Sequence, residues 1–241
     1  MIFFLIVFVA CSTTLTAQSF LDIVKTGDIK SVQRVIGRKG YHINEQDKDG
    51  ISPVIAAAIV GDSLMLELLL HNGADPNLAA AKGMTALHAA CFYQNEGVML
   101  PLLRAGAKVD ACDDRMRTPL HVASEKGLVN HIALLLDYHA DKERRDGSWN
   151  TPLLIACGYR QLNSMNALLE AEANANSCDI FGRSPLMLVS VLGEYEMATL
   201  LLKHKANVHA IDLFFNTALS YAKEYNHKSV IRVLTGAGAQ F

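Results

Sequence analysis

The feature that most constrains the fold is an internal repeat with a period of 33 residues. A pair of residues, Thr or Ser followed by Pro or Ala, recurs at this spacing without any insertion. The pairs are Ser52-Pro53, Thr85-Ala86, Thr118-Pro119, Thr151-Pro152, Ser184-Pro185 and Thr217-Ala218. An alanine column (Ala74, Ala107, Ala140, Ala173, Ala206, Ala239) and an aspartate column (Asp47, Asp113, Asp146, Asp179, Asp212, broken by Ala80) keep the same phase. Three columns in phase predict a stacked, quasi-one-dimensional repeat protein.

Each repeat contains the pattern of two short helices. A Thr or Ser hydroxyl can accept from an unpaired amide at a helix start, and Pro suits the first helical position. Small residues follow, and a glycine near position 61, 127, 158 or 193 ends the first helix. The second helix carries leucines that we assign to the core: Leu68-Leu69-Leu70, Leu102-Leu103, Leu134-Leu135-Leu136, Leu168-Leu169 and Leu200-Leu201-Leu202.

The period and the sequence Thr118-Pro119-Leu120-His121 resemble the ankyrin-repeat family. The resemblance covers residues 19–241 and implies an all-α solenoid in which β-turn fingers lie roughly at right angles to the helices. It implies that His88 and His121 bond to neighbouring backbone and tie adjacent repeats together. It divides the chain into an N-terminal cap (19–46), repeats 1 to 5 (47–79, 80–112, 113–145, 146–178, 179–211) and a C-terminal cap (212–241).

Two departures from the repeat pattern carry structural expectations. Pro101 takes the place of a core leucine inside a second helix, so it should kink or shorten that helix. Met116, Trp149 and Phe215 replace the glycine of three fingers, so those fingers are expected to differ in shape.

Residues 1–17 have the composition of an export segment. They are almost entirely apolar or hydroxylated and contain no Asp, Glu, Lys or Arg. Cleavage after Ala17 by a signal peptidase is one interpretation. Lipidation of Cys11, which follows a sequence that resembles a bacterial lipoprotein box, is another, and an uncleaved anchor or a cytosolic protein is a third. Export is the favoured location, with membrane contact only if this segment is lipidated or retained.

The remaining composition argues against several classes of function. Lys and Arg total 22 against 24 Asp and Glu, which gives no electrostatic footprint for nucleic acid. No metal, nucleotide-binding or nucleophile motif occurs, so no cofactor is predicted and an enzyme is not expected. The other histidines (His42, His71, His131, His139, His204, His209, His227) are expected at the surface. Same-column cysteines two repeats apart (Cys91 and Cys157, Cys112 and Cys178) lie too far apart for a disulfide, and small buried thiols are expected.

The predicted binding surface is the concave face formed by the finger tips and the first helices. Aromatic and arginine side chains gather at its variable positions, and these are the residue types most enriched at interface hot spots. The candidates are Tyr93, Tyr159, Trp149, Phe181, Phe214, Arg115, Arg183 and Tyr225. Trp149 and Phe215 have a second interpretation, in which they pack under the adjacent finger.

These observations predict a non-catalytic scaffold that binds a protein partner through the concave face and finger tips, with a monomer expected. Two other roles remain open. One is a periplasmic accessory that protects or assembles an enzyme partner, and its deletion would sensitise cells to peroxide. The other is a secreted effector directed at a host, which would be found in the culture medium.

Overall fold

Fourteen α-helices arranged in two layers make up the described part of the chain. A computed structural model describes residues 19–36, 38 and 40–240, and these contain helices, turns and one short 3₁₀ turn (Ala81–Gly83) but no strand. The inner helices are α1 (Phe20–Lys25), α3 (Pro53–Val60), α5 (Ala86–Phe92), α7 (Pro119–Lys126), α9 (Pro152–Gly158), α11 (Pro185–Leu192) and α13 (Ala218–Glu224). The outer helices are α2 (Ile29–Ile36), α4 (Ser63–His71), α6 (Glu96–Arg104), α8 (Val129–Asp137), α10 (Leu162–Glu170), α12 (Tyr195–Lys203) and α14 (Lys228–Gly236).

Helices of the same layer stack on one another along the chain. Each inner helix contacts the next inner helix, from α1 through α13, and each outer helix from α4 onward contacts the next outer helix. The two helices of one repeat also pack together. Every contact therefore joins a repeat to itself or to its neighbour, which is the arrangement of a helical solenoid.

The leucine column forms the continuous core between the two layers. Each outer helix from α4 onward contributes a completely buried leucine: Leu69, Leu102, Leu135, Leu168, Leu201 and Leu234. Burying one such side chain stabilises the fold by roughly 1.5–3 kcal/mol relative to leaving it in water. The core assignment is confirmed for the first five of these, whereas six other assigned leucines are half-buried and pack against the core: Leu68, Leu70, Leu134, Leu136, Leu200 and Leu202.

The inner helices begin as the Thr/Ser-Pro pairs predict. The Ser52 hydroxyl accepts a hydrogen bond from the Ile55 amide at 3.3 Å, and the Thr151 hydroxyl accepts from the Leu154 amide at 3.4 Å. Proline occupies the first position of the helices that follow both residues. A polar start of this kind fixes where each inner helix leaves its finger.

The two motif histidines join consecutive repeats. Nε2 of His88 lies 2.9 Å from the Arg117 carbonyl of the next finger, and Nε2 of His121 lies 3.1 Å from the Asn150 carbonyl. Because a carbonyl only accepts, Nε2 carries the proton and donates. Nδ1 of each ring then accepts from the Thr85 or Thr118 hydroxyl at 2.9 Å. The neutral ring therefore forms one hydrogen bond within its own repeat and another to the next repeat.

Pro101 does not shorten its helix. Helix α6 has nine residues, the same as α4 and α8, and Pro101 lies inside it. The expectation of a shortened helix is therefore wrong. A proline ring inside a helix crowds the carbonyl of the residue four positions earlier, which here is Gly97. No atom of another element lies within 4 Å of the place where a Cβ on Gly97 would be.

An aspartate shapes five of the six fingers. Oδ1 of Asp113 accepts from the amides of Arg115 and Arg117 at 2.8 and 2.9 Å, and the aspartates at 47, 146, 179 and 212 bond in the same way. Four of the five pairs of adjacent fingers are joined through their backbones, as between the Asp114 amide and the Lys82 carbonyl at 3.0 Å, and Arg145 joins fingers 4 and 5 by donating to the Trp149 and Cys178 carbonyls. The finger tips therefore form a continuous row.

The three fingers without glycine keep the same turn. Their φ angles are 59° at Met116, 64° at Trp149 and 64° at Phe215, close to the 73° of Gly50 and the 76° of Gly182. The expectation that these fingers differ in shape is therefore wrong. Large side chains occupy a left-handed conformation that costs about 1–2 kcal/mol for a residue with a Cβ.

Candidate protein-binding surface

A groove runs between the fingers and the ends of the inner helices, and we call it the finger groove. The fingers are the turns that begin at residues 47, 80, 113, 146, 179 and 212, numbered 1 to 6. Between fingers 3 and 4 the groove has a volume of about 490 Å³. Arg115 and Ser148 line it from the fingers, and Glu125, Ile155 and Tyr159 line it from the inner helices. Finger tips and inner-helix ends therefore face one space.

Most of the predicted contact residues are exposed. The exposed fractions are 46% for Tyr93, 55% for Tyr159, 58% for Trp149, 43% for Phe181, 64% for Phe214 and 51% for Tyr225. Arg115 is exposed and Arg183 is half-buried. Cys11 lies outside the described residues.

The structure brings some of these candidates together. Phe181 and Phe214, on adjacent fingers, have ring centroids 6.4 Å apart. Arg115 and Tyr159 line the same part of the finger groove. Phe215, at finger 6, is 83% exposed and extends the aromatic surface beyond Phe214.

The three tyrosines recur every second repeat, at the ends of α5, α9 and α13. Two residues after each tyrosine, a longer polar side chain reaches back to a carbonyl of the preceding repeat. The three contacts are Asn95 Nδ2 to Ile59 O at 2.8 Å, Gln161 Nε2 to Glu125 O at 3.2 Å and His227 Nε2 to Val191 O at 3.0 Å. These bonds hold the loop that carries each tyrosine.

A glycine in the preceding repeat makes room for each of these anchors. A Cβ on Gly61, Gly127 or Gly193 would lie less than 3 Å from the anchoring side chain. Sequence reasoning missed this two-repeat period, although the alternation of glycine at 61, 127 and 193 with tyrosine at 93, 159 and 225 could have revealed it.

Trp149 and Phe215 point away from the body of the solenoid. They are 58% and 83% exposed, which does not match the interpretation that they pack under the adjacent finger. Arg145 is the main neighbour of Trp149: its guanidinium lies 5.2 Å from the ring centroid, and it donates to the Trp149 and Cys178 carbonyls at 2.8 and 2.6 Å. Arg145 thus orients the tryptophan ring, more than half of which stays exposed to solvent.

Arg183 stabilises the finger to which it belongs. It pairs with the buried Asp179 at 2.7 Å and lies 5.0 Å from the centre of the Phe181 ring. Arg117 makes the same kind of pair with Asp113 at 3.0 Å and also contacts Glu125 at 3.1 Å. Both arginines are occupied within the protein and hold the finger tips in place.

The repeat geometry is matched by a family model. The model described as ankyrin repeats (3 copies) matches residues 20–113, 55–146, 94–179 and 153–241. The chain belongs to the ankyrin-repeat family. Ankyrin repeats generally mediate protein–protein interaction, and proteins of this family are typically non-catalytic scaffolds.

Individual curated relatives match part of the chain. The inactive serine/threonine-protein kinase TEX14 of Bos taurus is 32% identical over 98 residues, which is 41% of this chain and 6% of the kinase. The chain spans between 6% and 31% of the length of the first curated relatives that it matches.

Two solved structures show the same fold. The human ASB11 ankyrin repeat domain superposes with a TM-score of 0.79 at 23% identity, covering 92% of this chain and 98% of that one. The ankyrin repeat domain of Bcl-3, a member of the IkappaB protein family, superposes with a TM-score of 0.74 at 30% identity, covering 80% of this chain and 89% of that one. The all-α ankyrin solenoid is therefore confirmed.

Three histidines outside the ankyrin motif contradict the expectation of surface positions, and one of them, His204, is half-buried in the outer layer. His131 is buried in the outer layer, its burial lowers its pKa, and its Nε2 has no hydrogen-bond partner among the described residues. His227 is half-buried because it anchors the last tyrosine loop. Within residues 19–36, 38 and 40–240, no group of three or more potential ligands is placed to hold a metal ion.

The described cysteines are free thiols. Cys91 and Cys157 are completely buried beside Met99 and Met165, and burial raises the pKa of both thiols. A thiol protonated in this way is not a nucleophile. Cys112 and Cys178 are half-buried.

A larger groove lies on the opposite side of the ankyrin stack. It has a volume of about 1060 Å³ over α4, α6 and α8, and Gly97 and Pro101 contribute to its lining. No Phe, Tyr or Trp lines it, in contrast to the finger groove. Size alone therefore does not identify the binding surface, and the aromatic finger groove is the stronger candidate.

None of the helices in the described ranges has the length and apolar character needed to cross a bilayer.

Replacing Trp149 by glycine is expected to raise the free energy of unfolding by about 1 kcal/mol, because glycine adopts the left-handed turn without the steric cost. Met116→Gly provides a second test at an equivalent turn. Urea denaturation followed by circular dichroism measures both. A loss of stability in both variants would show that the aromatic and thioether side chains pack favourably despite their backbone strain.

Proposed function

We propose that this chain is a non-catalytic scaffold that binds a protein partner in the finger groove. The observation that carries the proposal is a row of exposed aromatic side chains on the finger tips and at the ends of the inner helices. Trp and Tyr at the centre of a groove are the usual anchors of protein interfaces.

The anchoring of the tyrosines supports the same proposal. Each tyrosine loop is tied to the preceding repeat, so Tyr93, Tyr159 and Tyr225 are presented in fixed places before a partner arrives. A preorganised surface binds more tightly because less freedom is lost on association. No catalytic residue is assigned.

The test is to replace Tyr93, Tyr159 and Phe181 together by alanine and to measure capture of the native partner. All three side chains are exposed, so the melting temperature should stay within a few degrees while capture is lost. Tyr195→Ala is a matched control because this tyrosine is 49% exposed but begins the outer helix α12. Undiminished capture by the triple variant would refute the finger groove as the binding surface.

We also propose that the protein acts outside the cytoplasm. The support is the composition of residues 1–17, which lie outside the described part of the chain. Mass spectrometry of the mature N-terminus, combined with cell fractionation, tests this. Gln18 as first residue indicates secretion and an acylated Cys11 indicates a lipoprotein, whereas an intact Met1 in the soluble cytosolic fraction would contradict export.

A further inference from the structure

The finger tips change in chemistry from one end of the groove to the other. The third residue of each finger reads Asp49, Lys82, Arg115, Ser148, Phe181 and Phe214. Charged residues therefore occupy this position in fingers 1 to 3, and aromatic residues occupy it in fingers 5 and 6. Two sections of the groove can be defined from the neighbours of these positions. The charged section comprises Lys82, Asp114 and Arg115, and the apolar section comprises Ile180, Phe181, Leu213, Phe214 and Phe215.

The apolar section is exposed and contains no charged side chain of its own. Its five side chains are between 43% and 83% exposed. The charged groups beneath them are occupied: Arg183 pairs with Asp179, and Asp212 accepts from the Tyr221 hydroxyl. A charge placed against this section would lose water without gaining a partner. The complementary ligand surface is therefore apolar and uncharged.

The charged section has a surplus of cations. The side chains of Lys82 and Arg115 make no hydrogen bond or ion pair within the described part of the chain, and one carboxylate, Asp114, lies in the same section. Lys126, over the Phe92 ring at 4.6 Å, adds no free cation because it pairs with Glu125 at 3.8 Å, and Glu125 also binds Arg117 at 3.1 Å. This surplus favours acidic groups on the ligand.

An extended chain is the shortest segment that can follow the row of finger tips, because a helix advances only about 1.5 Å per residue. The ligand is therefore taken to be extended along the row.

The spacing of the two sections fixes the spacing within the ligand. Fingers 3 and 5 are separated by two repeats, or about 20 Å, and fingers 2 and 6 by four repeats, or about 40 Å. An extended chain advances about 3.3 Å per residue. The acidic and apolar parts of one ligand would therefore be separated by about six to twelve residues.

We infer that the partner presents an extended segment with a cluster of aromatic or aliphatic residues at fingers 5 and 6 and one or more acidic residues about six to twelve positions away, at fingers 2 and 3. This inference rests on the proposed function and specifies the chemistry of its ligand. Trp149 lies between the two sections, so the bound segment passes over it.

The first experiment selects binders from a random library of 16-residue peptides displayed against the intact protein. Enriched peptides are expected to contain an apolar cluster and an acidic residue at the stated separation, in either chain direction. Enriched peptides without the acidic bias, or no enrichment above a blank surface, would overturn the inference. The proposed function would stand in that case if the triple alanine variant still lost its native partner.

The second experiment measures affinity through Trp149, which is the single tryptophan of the sequence. Covering its exposed ring with a tryptophan-free selected peptide should shift its emission to shorter wavelength. The double variants Phe181→Ser/Phe214→Ser and Lys82→Glu/Arg115→Glu should each weaken binding at least tenfold. A peptide with Lys in place of its acidic residues should regain affinity for the second variant. Leu64→Ser, on the exposed face of outer helix α4, is the control.

Two other occupants give distinct results with the same variants. If the protein sediments with phosphatidylcholine–phosphatidylserine vesicles and the variant Phe181→Ser/Phe214→Ser does not, the ligand of the apolar section is a lipid surface rather than a peptide. If the protein forms a concentration-dependent dimer in ultracentrifugation and the same variant does not, the ligand is a second copy of the chain. Either outcome overturns the inference, as does a selected peptide whose affinity neither double variant changes.

Discussion

Replacing Leu135 by alanine should lower the free energy of unfolding by about 3–5 kcal/mol. Leu135 is completely buried in α8, the outer helix of the central repeat, which packs against α6 on one side and α10 on the other. Truncating it removes apolar contacts and leaves a cavity that the stacked helices cannot fully close. Urea denaturation followed by far-ultraviolet circular dichroism and by Trp149 fluorescence measures the loss.

The matched control is Leu234→Ala, at the equivalent position of the last helix. Leu234 is equally buried, but α14 has an outer neighbour, α12, on one side only. Because the stability of a solenoid is a sum of repeat and interface terms, this change should unfold the terminal unit locally and move the main transition less. Equal shifts for the two variants would contradict nearest-neighbour coupling in this chain.

Lowering the pH through 6.5 should reduce the free energy of unfolding steeply. Burial lowers the pKa of His88 and of His121 below the ordinary value of 6.5. In the unfolded chain both rings protonate near 6.5, whereas in the folded protein they stay neutral to lower pH. Their stabilising contribution is therefore complete above that pH and is lost as the pH falls toward the folded pKa. The slope is up to about 1.4 kcal/mol per pH unit for each histidine.

The variants His88→Gln and His121→Gln test the origin of this slope. Glutamine does not titrate, so each change should remove the contribution of one histidine to the slope of the free energy of unfolding between pH 5 and 6.5. The double variant should remove the contributions of both. Carboxylates such as Asp113, whose pKa is lowered by hydrogen bonds from its own finger despite its burial, lose their contribution only below 3.8. An unchanged slope in the double variant would show that other groups control acid unfolding.

The architecture was accessible from sequence because it follows from periodic, local chemistry. Thr or Ser before Pro specifies a helix start, and a fully buried leucine column specifies the packed face. The histidine bridges were likewise predicted from the resemblance and confirmed by the distances to the Arg117 and Asn150 carbonyls. Each of these features depends on residues within one repeat or its immediate neighbour.

The errors arose where neighbouring structure outweighs local propensity. Pro101 stays inside a helix of full length, and Trp149 and Phe215 adopt the turn of a glycine. In the fingers, the aspartate hydrogen bonds and the backbone links between fingers stabilise the turn enough to offset a cost of about 1–2 kcal/mol. His131 was placed at the surface because a lone polar residue in a helix gives no indication of what packs over it.

By itself, the sequence determined the 33-residue period, the starts of the inner helices from α3 onward and the leucine core of this protein, because each recurs at a fixed spacing. Only the tertiary structure decided which aromatic side chains are exposed, which arginines are already paired, and how the tyrosine loops are anchored across repeats. The anchoring of the tyrosine loops depends on contacts between residues 36 positions apart, whose geometry arises when one repeat packs on the next, whereas the Arg183–Asp179 pair forms within one finger.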